Sequence, residues 1–106
     1  MSDTQRLCAL DEIPEGASKG FTFAQQKVFV LKKQGKIFVY RNACPHLGIP
    51  LEWVEDQFLD SSASMIQCAN HGALFVIETG KCVSGPCSGQ KLQALKYQII
   101  DGDIYL

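Results

Sequence analysis

The sequence predicts an all-β domain of many short antiparallel strands, closer to a sandwich or small barrel than to any helical fold. Three observations lead there: short β-branched and aromatic runs, turn residues spaced closely between them, and no sustained helical periodicity. Leu7, Cys8 and Ala9 alternate as in a strand, with Cys8 expected to be a small buried thiol. Gly20 to Ala24 and Val28 to Lys32 read as two further strands. Gln34-Gly35 then supplies a tight turn into a strand over Lys36 to Arg41. Leu51 to Leu59 mixes Leu, Trp, Val and Phe with acidic residues and is too short to assign. Cys82 precedes Val83 and is expected to be another buried thiol. Leu95 to Ile100 and Ile104 to Leu106 flank Asp101-Gly102, a strong hairpin signal. In that hairpin Leu95, Tyr97 and Ile99 alternate with Lys96, Gln98 and Ile100, which predicts one buried face.

The totals narrow the function. A chain of 106 residues fits a single domain over 1–106, and its core is modest enough for a bound metal to add to stability. The net charge is −1 and no basic run occurs, which argues against nucleic acid and anionic lipid as partners. The longest apolar stretches, such as Val28 to Leu31 and Ile37 to Tyr40, fall far short of a membrane span. Met1 to Arg6 has no basic cluster leading into an apolar stretch, so a cytoplasmic location is expected rather than secretion. Five cysteines cannot all pair, and in a reducing compartment some are better read as metal ligands.

Asn42 to Pro50 and Cys68 to Leu74 stand apart from the strand pattern, being rich in Gly, Pro, His and Cys; they read as two functional loops on a β scaffold. Both histidines of the chain fall inside them. The first loop holds Cys44-Pro45-His46 and the second Cys68-Ala69-Asn70-His71, a C-x-H, a gap of 21 residues, then a C-x-x-H. Each loop can thereby present one thiolate and one imidazole to a common point, provided the intervening strands bring the loops together. Thiolate is a soft donor suited to iron in a cluster, imidazole a weaker neutral one. Two cysteines on one iron and two histidines on the other define a Rieske [2Fe–2S] centre. With neutral imidazoles such a core is uncharged when oxidised and singly negative when reduced, which suits it to carrying one electron. Pro45 stiffens the first loop, and Gly48 and Gly72 let backbone amides approach the bridging sulfides. The same four residues, Cys44, His46, Cys68 and His71, also make a tetrahedral donor set for structural zinc. Zinc fits less well, because its common spacings pair Cys with Cys and His with His.

The segments Cys44-Pro45-His46-Leu47-Gly48 and Cys68-Ala69-Asn70-His71-Gly72 resemble the two cluster-binding boxes of Rieske proteins. Glu78-Thr79-Gly80-Lys81 and Gly85-Pro86 are similar to the segment after the second box, where the family places a proline loop near the cluster. The resemblance extends from about Leu7 to Leu106 and implies a three-sheet antiparallel β fold, with the two cluster-binding loops at one tip. Rieske proteins of cytochrome bc complexes carry an extra cysteine in each box, joined as a disulfide; Ile49 and Asn70 occupy those positions here. The same proteins place serine and tyrosine hydroxyls near the cluster where this chain has Ala73 and Phe75. These departures imply a potential near the bottom of the Rieske range of roughly −150 to +300 mV.

The resemblance implies a non-catalytic electron carrier, best matched by a ferredoxin that takes electrons from a reductase and passes them to an oxygenase. A small Rieske subunit of a larger reductase, such as a nitrite reductase, is the alternative, and a redox sensor a more distant one. Cys87 is expected to pack near the cluster, and a Cys82–Cys87 disulfide is not expected in the cytoplasm. Trp53, Phe58, Phe75 and Tyr97 read as core aromatics. Glu52, Glu55, Asp56 and Asp60 form an acidic group that either steers a basic partner or is a solvated face.

Overall fold

The computed structural model describes residues 5–23, 25–43, 51, 58–60, 64–68, 72–85 and 89–106. Among these, β1 (Arg6–Ala9), β9 (Asp103–Tyr105) and β8 (Gln98–Ile100) form one antiparallel sheet in that order. A second sheet runs β2 (Ser18–Phe23), β3 (Gln26–Lys33), β4 (Lys36–Arg41). The third runs β5 (Met65–Cys68), β6 (Ala73–Val76), β7 (Cys82–Ser84). A single 3-10 turn over Leu10–Glu12 is the only helical element among the described residues. The all-β, three-sheet expectation is therefore met.

The second sheet lies between two cores. Phe29, Leu31 and Tyr40 join the cluster shared with the third sheet, through Ile66, Cys68, Ala73, Phe75 and Cys82. Val30, Ile37 and Val39 join the other cluster, with Cys8, Ile13 and Ile104. A strand covered on both faces has no reason to alternate, so Val28 to Leu31 is an unbroken apolar run, buried throughout.

Two hairpins follow the turn chemistry of the sequence. Gln34 (φ 54°) and Gly35 (φ 76°) take the left-handed backbone that a two-residue turn demands, with Lys33 opposite Lys36. The Glu15 carboxylate accepts from both turn amides, Gly35 N–H at 2.8 Å and Gln34 N–H beside it. These bonds hold its carboxyl below the usual range, the Gly35 amide contributing most. Asp101 (φ 51°) and Gly102 (φ 81°) repeat the geometry between Ile100 and Asp103.

Several boundaries differ from expectation. The strand expected from Gly20 already begins at Ser18, where it pairs with Leu31; Ala24 lies outside the described residues. Leu95 to Tyr97 are not strand. They run beside β4 in separate contacts: Leu95 N–H donates to Val39 O at 2.9 Å, and the Tyr97 hydroxyl to Ile37 O at 2.6 Å. The predicted buried face of the last hairpin does not form, for Tyr97 is 37% and Ile99 48% exposed. Strand β8 is one edge of its sheet, paired with β9, and the sheet covers its core through Cys8 and Ile104 instead. Tyr97 is thus no core aromatic, whereas Phe58 and Phe75 are fully buried; Trp53 lies outside the described residues.

Candidate metal centre

Of the four ligands expected from sequence, Cys68 is described; Cys44, His46 and His71 lie outside the described residues. No group of three or more His, Cys, Asp or Glu able to hold a metal occurs among the described residues. The ends of the segments carrying the ligands are described, and they define the scaffold of the site.

Cys68 is the last residue of β5, where inward and outward positions alternate: Ile66 and Cys68 are fully buried, Met65 and Gln67 half-buried. Across the ladder, Phe75 sits opposite Ile66 and Ala73 opposite Cys68, both fully buried. Gly72 N–H closes the turn onto Cys68 O at 2.8 Å, with Gly72 at φ 65°. That single bond brackets the three positions that hold Ala69, Asn70 and His71. The backbone there is one a side chain rarely adopts, which explains the glycine after the second histidine.

Residues 86–88, which include Pro86 and Cys87, lie outside the described residues, and their two roots are fixed. Gly85 lies at φ 104°, so close to β6 that a Cβ on it would stand 2.9 Å from both Ala73 Cα and Ala73 Cβ. On the far side, Cys82 N–H donates to Gln90 O at 2.8 Å, and Leu92 N–H to Gly80 O at 2.8 Å. The proline-bearing segment is thereby rooted against the strand opposite Cys68. The Cys82 thiol, buried as expected, lies 3.3 Å from Ser84 O.

The expected turn over Glu78 to Lys81 is present. Gly80 N–H donates to Val76 O at 2.7 Å and Val76 N–H to Lys81 O at 2.9 Å. Gly80 (φ 74°) leaves room for the Tyr40 ring, since a Cβ there would be 2.8 Å from Tyr40 Cε1. The Tyr40 hydroxyl donates to Ile77 O at 2.6 Å, and burial pushes its pKa up to about 12.

The first box is rooted at Asn42 and Leu51. The Asn42 side chain, 6% exposed, accepts the Leu51 N–H at 2.8 Å, and Leu51 is fully buried in the same cluster as Cys68 and Ala73. Sequence reasoning placed Asn42 at the start of the loop and gave it no role; a lone Asn two residues before a cysteine carries no signal of where its amide goes. Of the acidic group, Asp60 closes a turn by accepting from Ser64 N–H at 2.9 Å and Met65 N–H at 3.2 Å, a structural task rather than a steering one. Glu52, Glu55 and Asp56 lie outside the described residues.

The roots of both segments that carry the expected ligands thus reach one buried cluster, and the proline-bearing segment is rooted on Ala73 of that cluster. The donor set and the scaffold fit a cluster with one thiolate at the end of β5 and close backbone at Gly85 against Ala73. Residues 3–98 match the Rieske [2Fe-2S] domain model. The chain belongs to the Rieske [2Fe–2S] domain family. Members of this Rieske family carry a [2Fe–2S] cluster, the cofactor expected from the boxes. The cytochrome b6-f complex iron-sulfur subunit of Chlorobaculum tepidum is 34% identical over 93 residues, covering 88% of this chain and 47% of that protein. The chain therefore spans about half the length of that relative. The biphenyl dioxygenase ferredoxin subunit of a Pseudomonas species is 28% identical over 94 residues, covering 88% of this Rieske chain and 83% of that protein. In fold, the ferredoxin of carbazole 1,9a-dioxygenase from Nocardioides aromaticivorans superposes with a TM-score of 0.79 at 21% identity, covering 98% of this chain and 96% of that one. No helix among the described residues is long and apolar enough to cross a membrane.

Proposed function

We propose that this chain is a single Rieske domain over residues 1–106 that carries one electron at a time, with Cys44, His46, Cys68 and His71 holding the [2Fe–2S] cluster. It takes the electron from a reductase and passes it to an oxygenase, performing no substrate chemistry itself. The observation that carries the proposal is the convergence of the roots of both box-bearing segments on one buried cluster containing Cys68. Likeness to a dioxygenase ferredoxin subunit over 83% of that protein supports the choice of partners. The identity to b6-f subunits is higher, but Ile49 and Asn70 stand where the cytochrome-complex proteins carry their brace cysteines.

When bound, the cluster supplies a reversible one-electron couple. The chain's part is to hold it in a rigid and dry setting. Cys68 projects from a ladder whose inward positions are all fully buried, so water is excluded around its sulfur. Gly72 supplies the left-handed turn after the second box, and Gly85 lets the root of the proline-bearing segment come close to Ala73. Ala73 and Phe75 add no hydroxyl, leaving the reduced form without two hydrogen bonds and favouring a potential near the low end of about −150 mV. The proposed setting is the cytoplasm, in keeping with box cysteines read as metal ligands rather than as disulfide partners.

EPR of the dithionite-reduced protein is the test. Mixed His/Cys ligation gives an average g clearly below that of Cys₄ clusters, and His46→Ala or His71→Ala abolishes the native signal. An average g typical of Cys₄ clusters refutes the ligand set, and a colourless zinc-bearing protein refutes the cluster. Reduction by a flavin reductase followed by reoxidation with a terminal oxygenase tests the carrier role; a redox-dependent complex without turnover would mark a sensor instead.

A further inference from the structure

We propose that Asn42 is the positioning residue of the first cluster loop, its side-chain carbonyl tying together the two ends of the segment that carries Cys44 and His46; this rests on the ligand assignment above. Among the described residues, Asn42 alone puts a side-chain amide or charge into the buried interior. Burying an amide is unfavourable unless its hydrogen bonds are met, so its place there calls for a specific partner. That partner is the Leu51 N–H, 2.8 Å away and nine positions along the chain.

Both ends of the tether are fixed. Asn42 N–H donates to Lys27 O at 2.8 Å and Arg41 N–H to Gln93 O at 2.9 Å, which locks the end of β4 between its neighbours. Leu51 is fully buried beside Cys68 and Ala73. The box Cys44-Pro45-His46 lies within the bridged span. Closing that span through one buried bond removes the conformational freedom that the loop would otherwise lose on taking up its cluster. A disulfide brace has no cysteines to form it here, since positions 49 and 70 are Ile and Asn. The amide at position 42 restrains the first loop alone, and from within the buried interior.

Two variants separate tethering from mere packing. Asn42→Leu fills a similar volume and leaves the Leu51 N–H buried without its acceptor. Asn42→Asp keeps an oxygen in the accepting position. Purified holoprotein is challenged anaerobically with an iron chelator, loss of visible absorbance is timed, and the reduced EPR line shape is recorded. Asn42→Leu is expected to lose its cluster at least about tenfold faster than wild type, the scale of one lost buried hydrogen bond, with a broadened signal. Asn42→Asp, whose carboxyl still accepts the Leu51 N–H although its burial has a cost of its own, is expected to lose its cluster more slowly than Asn42→Leu and to keep its line shape. The proposal is overturned if the leucine variant matches wild type in rate and line shape, or if the aspartate variant bleaches as fast as the leucine one. Should Asn42→Leu yield no folded protein, retention or loss by Asn42→Asp decides the matter. A wild-type protein without a mixed-ligand signal would remove the ligand assignment and this proposal with it, whereas a normal wild-type signal with two unaffected variants removes Asn42 alone.

Discussion

Replacing Gly85 by alanine introduces a single methyl group where the scaffold has no room for one. Its Cβ would stand 2.9 Å from Ala73 Cα and from Ala73 Cβ, about half an ångström inside the closest comfortable contact. Neither neighbour can yield easily, for Ala73 is fully buried and paired with Cys68 on one side of β6. The backbone angle of φ 104° adds a second penalty, since L residues avoid it. Taking about 1–2 kcal/mol for the backbone and about 1–3 kcal/mol for overpacking, the substitution costs about 2–5 kcal/mol. Gly16→Ala is the matched control: Gly16 also has a positive φ, 76°, but a Cβ there meets nothing within 4 Å. It should carry the backbone part alone, about 1–2 kcal/mol. Urea unfolding of both holoproteins, followed by fluorescence of the single tryptophan, gives the comparison. The Gly85 variant should lose at least about 1 M in midpoint relative to wild type, and clearly more than the Gly16 variant. Equal midpoints for the two variants would refute the close approach of residue 85 to β6.

Three further outcomes are expected. Tyr40→Phe removes the donor to Ile77 O and should cost about 1–2 kcal/mol near neutral pH, read as a lower denaturation midpoint. Because the folded-state pKa of Tyr40 is raised to about 12, wild type should lose stability as pH climbs from about 10 towards that value, a loss the phenylalanine variant lacks. Ala73→Ser and Phe75→Tyr, separately, should raise the midpoint potential in protein-film voltammetry, and an unchanged or lower value would undo the link between these positions and the low potential. Glu15→Gln should destabilise the protein at pH 7, and the gap to wild type should close as pH falls below 4.5: the carboxylate's stabilising bonds to Gly35 and Gln34 exist above its unfolded pKa and vanish through its depressed folded one. A gap that persists unchanged at pH 3 would count against that clamp.

Local chemistry made much of this chain legible. Two-residue turns at Gln34-Gly35 and Asp101-Gly102 follow directly from side chains that tolerate left-handed backbone, and β4 occupies the very span expected of it. The inward placement of Cys8 and Cys82 was equally open to reading, because a small apolar thiol inside a strand has few other places to be. The last hairpin was not. An alternating pattern states that one face is less polar, but not whether another sheet exists to cover it, and Ile99 found none. The site divides in the same way. Cysteine and histidine spacing identifies the family because metal chemistry constrains it, and Gly85 was recognisable by resemblance. The Tyr40–Gly80 contact was invisible because it joins residues far apart in the chain, and Asn42 because the path of a loop, not its composition, brings the Leu51 N–H to its amide.

The pairing of β1 with β9 bears on how the molecule is made. Arg6 lies opposite Tyr105 and its guanidinium meets the Asp103 carboxylate at 3.2 Å, so the first sheet joins strands from the two ends of the described chain. On a ribosome, β1 emerges early and must wait for β9, while Val30, Ile37 and Val39 stay uncovered on one face of the second sheet. The other face meets its partner sheet sooner, because β5 to β7 are synthesised before β9. The half of the protein that holds Cys68 can therefore assemble first, and the late sheet seals the opposite side.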